Sequence, residues 1–263
     1  MFGVRRALLG VVHLQALPGT PASKLDVPAI ASIAVEEACS LEAAGFHGIV
    51  IENTHDRPYL KANVGPEITA AMAVIGAEIR RAVKVPLGVQ ILAGANTMAL
   101  GVALACGASF VRVEGFVFAH VADEGLIEAS AGALLRYRRA LGADHIRIFA
   151  DVKKKHSAHS ITADVDIVET AKAAEFFQVD GVIVSGVATG EAADPEEVNL
   201  VGDAVSVPTL VGSGITTDNI GLYQNADAFI VGSSIKSDGL WFNPIEFSRT
   251  RSLVNAFNDV LHR

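Results

Sequence analysis

Cysteine is nearly missing from this chain: only Cys39 and Cys106 occur in 263 residues. Two thiols make no disulfide framework and give no reason to expect an oxidising compartment, so the cytoplasm is the expected location. Both lie on alanine-rich stretches, EEACSLEAAG and ALACGASF, and read as inert core thiols. Long apolar runs are missing too. No window reaches the roughly 18 uninterrupted apolar residues that a membrane-crossing helix needs, which predicts a soluble protein. The start, VRRALLGVV, has the look of a secretory signal, but its apolar run stops at His13, no small-residue cleavage site follows, and LPGTP is a turn. A first strand is the better reading. Basic charge is in deficit, 21 Lys and Arg against 29 Asp and Glu for a net charge of −8. That balance argues against nucleic acid or an anionic membrane as the main partner, and any anion site must be local.

What is present is a large apolar fraction, 51%, with 19% charged residues, enough for a sizeable core and too apolar for disorder. Short β-rich runs alternate with alanine- and glutamate-rich segments at near-helical spacing. The runs are 7–13, 48–53, 86–92, 110–114, 146–152, 181–186, 208–213 and 228–233. Nearly continuous apolar strands separated by helices describe a parallel sheet covered by helices. An internal echo favours closure. AGFHGIVIEN resembles QVDGVIVSG, VKVPLGVQI resembles VSVPTLVGS, and CGASFVRVEG resembles NADAFIVGS, each pair four units apart. Four βα units repeated and closed on themselves predict an α/β fold, a (β/α)8 TIM barrel forming one domain over 1–263.

In such a barrel the carboxyl ends of all strands share one face, and the loops leaving them build the site. Two loops stand out. LVGSGITTDN after the seventh run and FIVGSSIK after the eighth place Gly212, Ser213, Gly214, Gly232 and Ser233 where glycines admit a close anion and amides of the next helices point at it. These predict a phosphate position; tight βα turns are the plainer reading of the same glycines. FADVKKKHSAHS, at 149–160, delivers three lysines and two histidines after a core strand. Strand alternation would point Asp151, Lys153 and Lys155 together, with Val152 and Lys154 opposite. A lysine crowded by others in a partly desolvated mouth suits Schiff-base or general-base work, whereas a fully charged one binds an anion.

The remaining strand ends supply His13 as acid, base or ligand, and Glu52 with Asn53 for proton transfer, hydroxyl binding or Mg2+ held through water. Arg112 and Glu114 alternate to one face and could simply pair across the interior. Ser185 ends the sixth run, and His156 beside the lysines reads as a substrate contact. His156 and His159 are three apart, but no cysteine or carboxylate spacing completes a zinc site, so no cofactor is expected and Mg2+ at Glu52 is the one metal left open. His47, His55, His120, His145 and His262 show no convergent neighbours. Asp123-Glu124-Gly125 follows a long aromatic-bearing loop that could act as a lid or an interaction surface. LLRYRRAL could support a homo-oligomer, although basic residues at that spacing usually face solvent.

The segments GVVHLQALPGTP, IVIENTHDRPY, FADVKKKHSAH, LVGSGITTDNI and IVGSSIKSDG resemble, in order and along essentially the whole chain, the signature segments of the BtpA family, also called BtpA/SgcQ. The resemblance implies a barrel of the ribulose-phosphate-binding kind. It covers His13, Pro18-Gly19, Glu52-Asn53, Asp151, Lys155-His156, Gly190, Gly212-Ser213-Gly214, Gly232 and 236–239, and it implies no agreed reaction. Ala93-Gly94-Ala95 stands where the pattern usually runs Arg-Asn-Asp, and Glu114 where Asn is usual. The family name comes from a role in photosystem I accumulation in cyanobacteria, yet relatives occur without photosynthesis. Two functions are therefore expected to compete. One is an enzyme on a small phosphorylated sugar or nucleoside-derived metabolite, doing lyase, isomerase or glycosidic-bond chemistry; the other is a non-catalytic assembly or stability factor. A phospho-ligand sensor is a third.

Overall fold

The computed structural model describes residues 3–186 and 190–261. Eight parallel strands close into a barrel: β1 Ala7–His13, β2 Gly48–Glu52, β3 Leu87–Gln90, β4 Phe110–Val113, β5 Arg147–Val152, β6 Gly181–Val184, β7 Thr209–Val211 and β8 Ala228–Val231. Closure joins β1 to β8 in register, Ala7 opposite Ala228 through Gly10 opposite Val231. Each strand sits where the apolar runs placed it, ending up to two residues sooner where glycine or a polar side chain turns the chain into its loop.

Helices cover the outside: α1 Val27–Ala44, α2 Pro66–Ala82, α3 Asn96–Cys106, α4 Ala131–Ala140, α5 Ile167–Phe176, α6 Pro195–Ala204 and α7 Phe247–Leu261. Their starts follow local chemistry. Asp26, Asp166 and Asp194 accept hydrogen bonds from the amides of Ala29, Glu169 and Glu196, satisfying donors that a helix start leaves unpaired. The helix expected to follow β7 is missing: Ile220–Leu222 forms a single 3-10 turn. Another 3-10 turn, Ser233–Ile235, follows β8 before α7. The expected lid loop instead folds as strands His120–Ala122 and Gly125–Ile127, joined by Ser157–Ala158 in a three-stranded antiparallel sheet above the barrel. Short strands carrying polar residues leave too weak an alternation to be read from sequence. Cys106 is buried as expected, but Cys39 is exposed on α1, because its spacing from Ala34, Ala38 and Leu41 puts it off the buried face.

Inward side chains alternate along every strand and form layers. The lower layers are apolar, with Leu9, Val50, Phe110, Phe149, Ile183 and Leu210 in one buried cluster. The two phenylalanine rings meet at 5.4 Å between centroids. They fill the floor because Gly88 and Gly181 leave it open: a Cβ at Gly88 would come within 2.2 Å of the Phe110 ring, and one at Gly181 within 2.8 Å of Phe149. One step further along each strand the interior turns polar.

Candidate active site at the barrel mouth

The uppermost interior layer takes one residue from the carboxyl end of each strand or the position just past it: His13, Glu52, Gln90, Arg112, Asp151, Ser185, Gly212 and Gly232. Arg112 is its hub. Its Nε and Nη2 donate to the two carboxylate oxygens of Asp151, both at 2.8 Å, and Nη1 donates to Glu52 at 3.2 Å. One guanidinium thus holds two buried carboxylates, a planar fork doing what a lysine cannot. The attraction of both acids raises the arginine further above its ordinary range against the cost of burial. Burial pushes the Glu52 carboxyl up from its ordinary value, opposed by Arg112 and Lys155. Gly212 leaves space for this fork, since a Cβ there would lie 3.2 Å from Arg112 Nη2.

Arg112 and Glu114 do not pair, contrary to the simplest expectation from alternation. Glu114 instead binds Lys154 Nζ at 3.2 Å and lies 3.4 Å from Gln90 Nε2. The reason is a turn in β5's exit. Lys153 adopts φ 46° and His156 φ 54°, left-handed values that cost a non-glycine residue about 1 kcal/mol or more. This break in the alternation swings Lys154 inward and sends Lys153 toward the Thr162 carbonyl, 3.5 Å away. Lys153 therefore does not share the mouth with Lys155. Lys155 lines the mouth with Glu52, Arg112 and Glu114, is largely buried, and its amine makes no hydrogen bond or ion pair among the described residues. Burial, and then Arg112, lower its pKa, with the three acids opposing. His156 is exposed and reaches the same cavity.

His13 is held by a contact that sequence reasoning missed. Its Nδ1 lies 2.8 Å from the Trp241 carbonyl, which makes Nδ1 the protonated nitrogen and leaves Nε2 an acceptor, 4.0 Å from Glu52. Burial lowers its pKa to about 3, so the ring is neutral near pH 7. Gly232 packs beneath it, where a Cβ would sit 3.1 Å from Nε2. Trp241 also takes His55 edge-on at 5.0 Å and carries the Arg57 guanidinium at 4.8 Å, forming a wall of the mouth. The segment is anchored from α1: Glu37 accepts from Lys236 Nζ at 2.9 Å and from the Ile245 amide at 3.1 Å, with Lys236 1% exposed. A lone tryptophan in a chain otherwise poor in aromatics was the one available signal for this wall.

The glycine loops approach the same space. Gly190, Gly212, Ser213, Gly214, Gly232 and Ser233 all line it. Ser213 has a structural hydroxyl, donating to the Glu191 carbonyl and accepting from the Gly186 amide, both at 3.0 Å. Gly214, at φ 67°, presses so closely on Glu191 and Ala192 that a Cβ would come within 2.3 Å of their backbone. Among the described residues the amides of Gly214, Ser233 and Ser234 make no backbone hydrogen bond. Four predicted residues stand outside the cavity lining: Asp151 behind Arg112, Lys153 turned away as above, Asn53 and Ser185. Asn53 is buried and structural, accepting from the Leu92 amide and donating to Asp56. The Ser185 hydroxyl is buried without a partner in the polar layer. Of the other histidines, His120, at the start of a strand of the small sheet, packs 5.3 Å from His159, and His262 lies outside the described residues.

The cavity holds about 400 Å3. A cleft of about 460 Å3 at the opposite end is lined by Arg5, Arg6, Asp203 and Asp227 and receives no strand carboxyl end. The departures at Ala93 and Glu114 both line the mouth cavity. No helix among the described residues is long and apolar enough to cross a membrane.

A model of the BtpA family matches residues 4–259. The chain is 46% identical over 259 residues to an uncharacterised mitochondrial protein of Caenorhabditis elegans, covering 97% of this chain and 94% of that one. It is 36% identical over 267 residues to a photosystem I biogenesis protein of Synechocystis, covering 99% and 91%. Among solved structures it resembles thiamine phosphate pyrophosphorylase from Pyrococcus furiosus, with a TM-score of 0.61, 16% identity, and coverage of 98% and 97%. That likeness is one of fold.

Proposed function

Because this chain belongs to the BtpA family, we propose that its strand carboxyl ends form an enzyme active site for a small phosphorylated sugar or nucleoside-derived metabolite, with lyase or isomerase chemistry. The observation that carries this reading is Lys155: a largely buried amine with a lowered pKa and no hydrogen-bond or ion-pair partner among the described residues, on the wall of a cavity whose other side is built from glycine loops. Retaining such a group costs stability, and function is the usual return.

In this reading the phosphate sits against the amides of Gly214 and Ser233 and faces Lys155 across the cavity. A carbonyl carbon of the substrate then lies near the amine. Attack by the neutral form of Lys155 on the carbonyl carbon forms a carbon–nitrogen bond; a proton passed from Glu52 to the carbinolamine oxygen lets it leave as water and gives an iminium ion, and hydrolysis returns the amine, the carbonyl and the proton. Glu52, with its raised pKa, moves the proton on carbon or oxygen, and Asp151 acts through Arg112 by fixing the fork that positions Glu52. His13 offers Nε2 as an acceptor and does not become a cation. Mg2+ is not required by this scheme, although Glu52 could meet one through water. The reading suits a reducing compartment such as the cytoplasm, where the free thiols Cys39 and Cys106 persist. The name of the structural relative, a thiamine phosphate enzyme, fits a phosphorylated ligand.

The test is borohydride reduction in the presence of phosphorylated aldehydes and ketones, read by peptide mass spectrometry. A mass added at Lys155 is expected. An unmodified Lys155 with every carbonyl compound that binds would remove the covalent step.

A second reading, a non-catalytic assembly factor, is favoured by one observation. Val121 and Leu126 are register partners on the small sheet, 44% and 45% exposed, and form an apolar pair above the mouth. The cyanobacterial relative is named for photosystem I biogenesis. Loss of partner binding on Val121→Ser with Leu126→Ser, together with no phosphate affinity in the unmodified protein, would favour this reading.

A further inference from the structure

The cavity is polarised from one side to the other. On the glycine-loop side it presents backbone amides; on the side formed by β3, β4 and the small sheet it presents Gln90, Glu114, Asp123 and Glu124, with Thr54 between. Lys154 satisfies one oxygen of Glu114. Three further oxygens on this side, Gln90 Oε1, Glu124 Oε2 and Thr54 Oγ1, are shielded from bulk water and have no hydrogen-bond partner. Gln90 is 3% exposed and projects inward from β3, and its Nε2 faces Glu114, which fixes Oε1 as the unpaired end. Buried polar atoms in folded proteins are nearly always paired; Thr54 Oγ1 can donate or accept, but Gln90 Oε1 and Glu124 Oε2 are acceptors, and around one cavity they call for donors supplied by what enters it.

We infer that this side is an acceptor subsite, which selects ligands carrying hydrogen-bond donors at the end opposite the phosphate. The ligand class is a phosphorylated compound whose distal carbons bear hydroxyl or amino groups. An apolar or acceptor-rich tail leaves Gln90 and Glu124 unpaired and is rejected, as sites built around buried polar groups reject analogues that lack the matching donor. The orientation of the ligand rests on the phosphate reading above; the presence of the acceptor subsite does not.

Three five-carbon phosphates test it by titration calorimetry: n-pentyl phosphate without distal donors, D-ribose 5-phosphate with hydroxyls, and 5-aminopentyl phosphate with one ammonium. At least one donor-bearing ligand is expected to bind about 10-fold or more tightly than pentyl phosphate, and whichever it is identifies the donor as hydroxyl or amine. Gln90→Met and Glu124→Ala should each shrink that preference several-fold while leaving inorganic phosphate binding unchanged. If Gln90→Met does not fold by circular dichroism, Glu124→Ala alone decides. Equal affinity for all three ligands, or a preference that survives both substitutions, overturns the inference. If inorganic phosphate does not bind at all, the phosphate reading falls separately. The acceptor subsite is then judged by ligand-observed NMR with D-ribose, 5-amino-1-pentanol and 1-pentanol, where equal saturation of the three, or of none, overturns it.

Discussion

The lower and upper layers of the barrel interior occupy the same cylinder and come from the same strands, yet they are held together by opposite physics. Below, Phe110 and Phe149 fill volume that Gly88 and Gly181 vacate, and the gain is burial and close packing. Above, Arg112, Asp151 and Glu52 are equally enclosed, but their cohesion is a charge-assisted fork that must offset the cost of taking three ions out of water. The lower layer is therefore sensitive to volume and the upper to charge.

That contrast can be broken most forcefully at its two centres. Arg112→Leu and Phe110→Ala should each cost about 3–5 kcal/mol in denaturant unfolding, the first by stranding buried carboxylates and the second by leaving a cavity. Their pH dependence should differ. In the arginine variant the Glu52 pKa, already raised by burial, rises further without its cation. A carboxyl whose folded pKa exceeds its unfolded one stabilises at low pH and loses that contribution as pH climbs through the folded value. The Arg112→Leu deficit should therefore shrink in acid, whereas the Phe110→Ala deficit should not; parallel curves would end the distinction.

A smaller effect is expected at the junction of mouth and loops. Gly214→Ala forces a methyl against the Glu191 and Ala192 backbone at a left-handed position, which should cost about 1–3 kcal/mol and weaken phosphate binding measured by calorimetry. Lys155→Met should move the other way. Its lowered pKa means the charged amine destabilises the fold below its folded pKa, and this penalty fades as pH rises toward the ordinary 10.5. The variant should gain about 0.5–2 kcal/mol near neutrality, gain nothing in strong base, and lose borohydride trapping. The smallest expected effect is none at all: the His13 ring nitrogens should hold constant 15N shifts from about pH 5 to 8, because the ring is neutral above about pH 3. A titration inside that window would show that the ring is wetter than its contacts imply.

How far the sequence revealed these layers follows from what each depends on. Strands whose faces are both buried write themselves as continuous apolar runs, so 7–13, 110–114 and 228–233 located β1, β4 and β8 within two residues. Strand carboxyl ends then named His13, Glu52, Arg112 and Asp151 without coordinates, since parallel strands carry their last residues to one face. Partnerships were not legible. That Arg112 takes Asp151 rather than Glu114 depends on barrel geometry, and the parting of Lys153 from Lys155 depends on a single left-handed residue with no glycine to announce it. Trp241 reaches His13 across 228 residues of chain, a distance over which periodicity carries nothing. Asn53 was read for chemistry although its amide is used to hold Asp56 and the Leu92 amide, because a strand-end polar residue looks the same in either use.

Glu37 on α1 never meets the cavity, yet it clamps both Lys236 and the Ile245 amide, the two ends of the segment that carries Trp241. Loosening that one carboxylate would let the tryptophan carbonyl drift from His13 and free the imidazole to exchange tautomers. A helix position that would pass for scaffold in any catalogue of mouth residues is thus linked, through the segment it clamps, to the ring on the first strand.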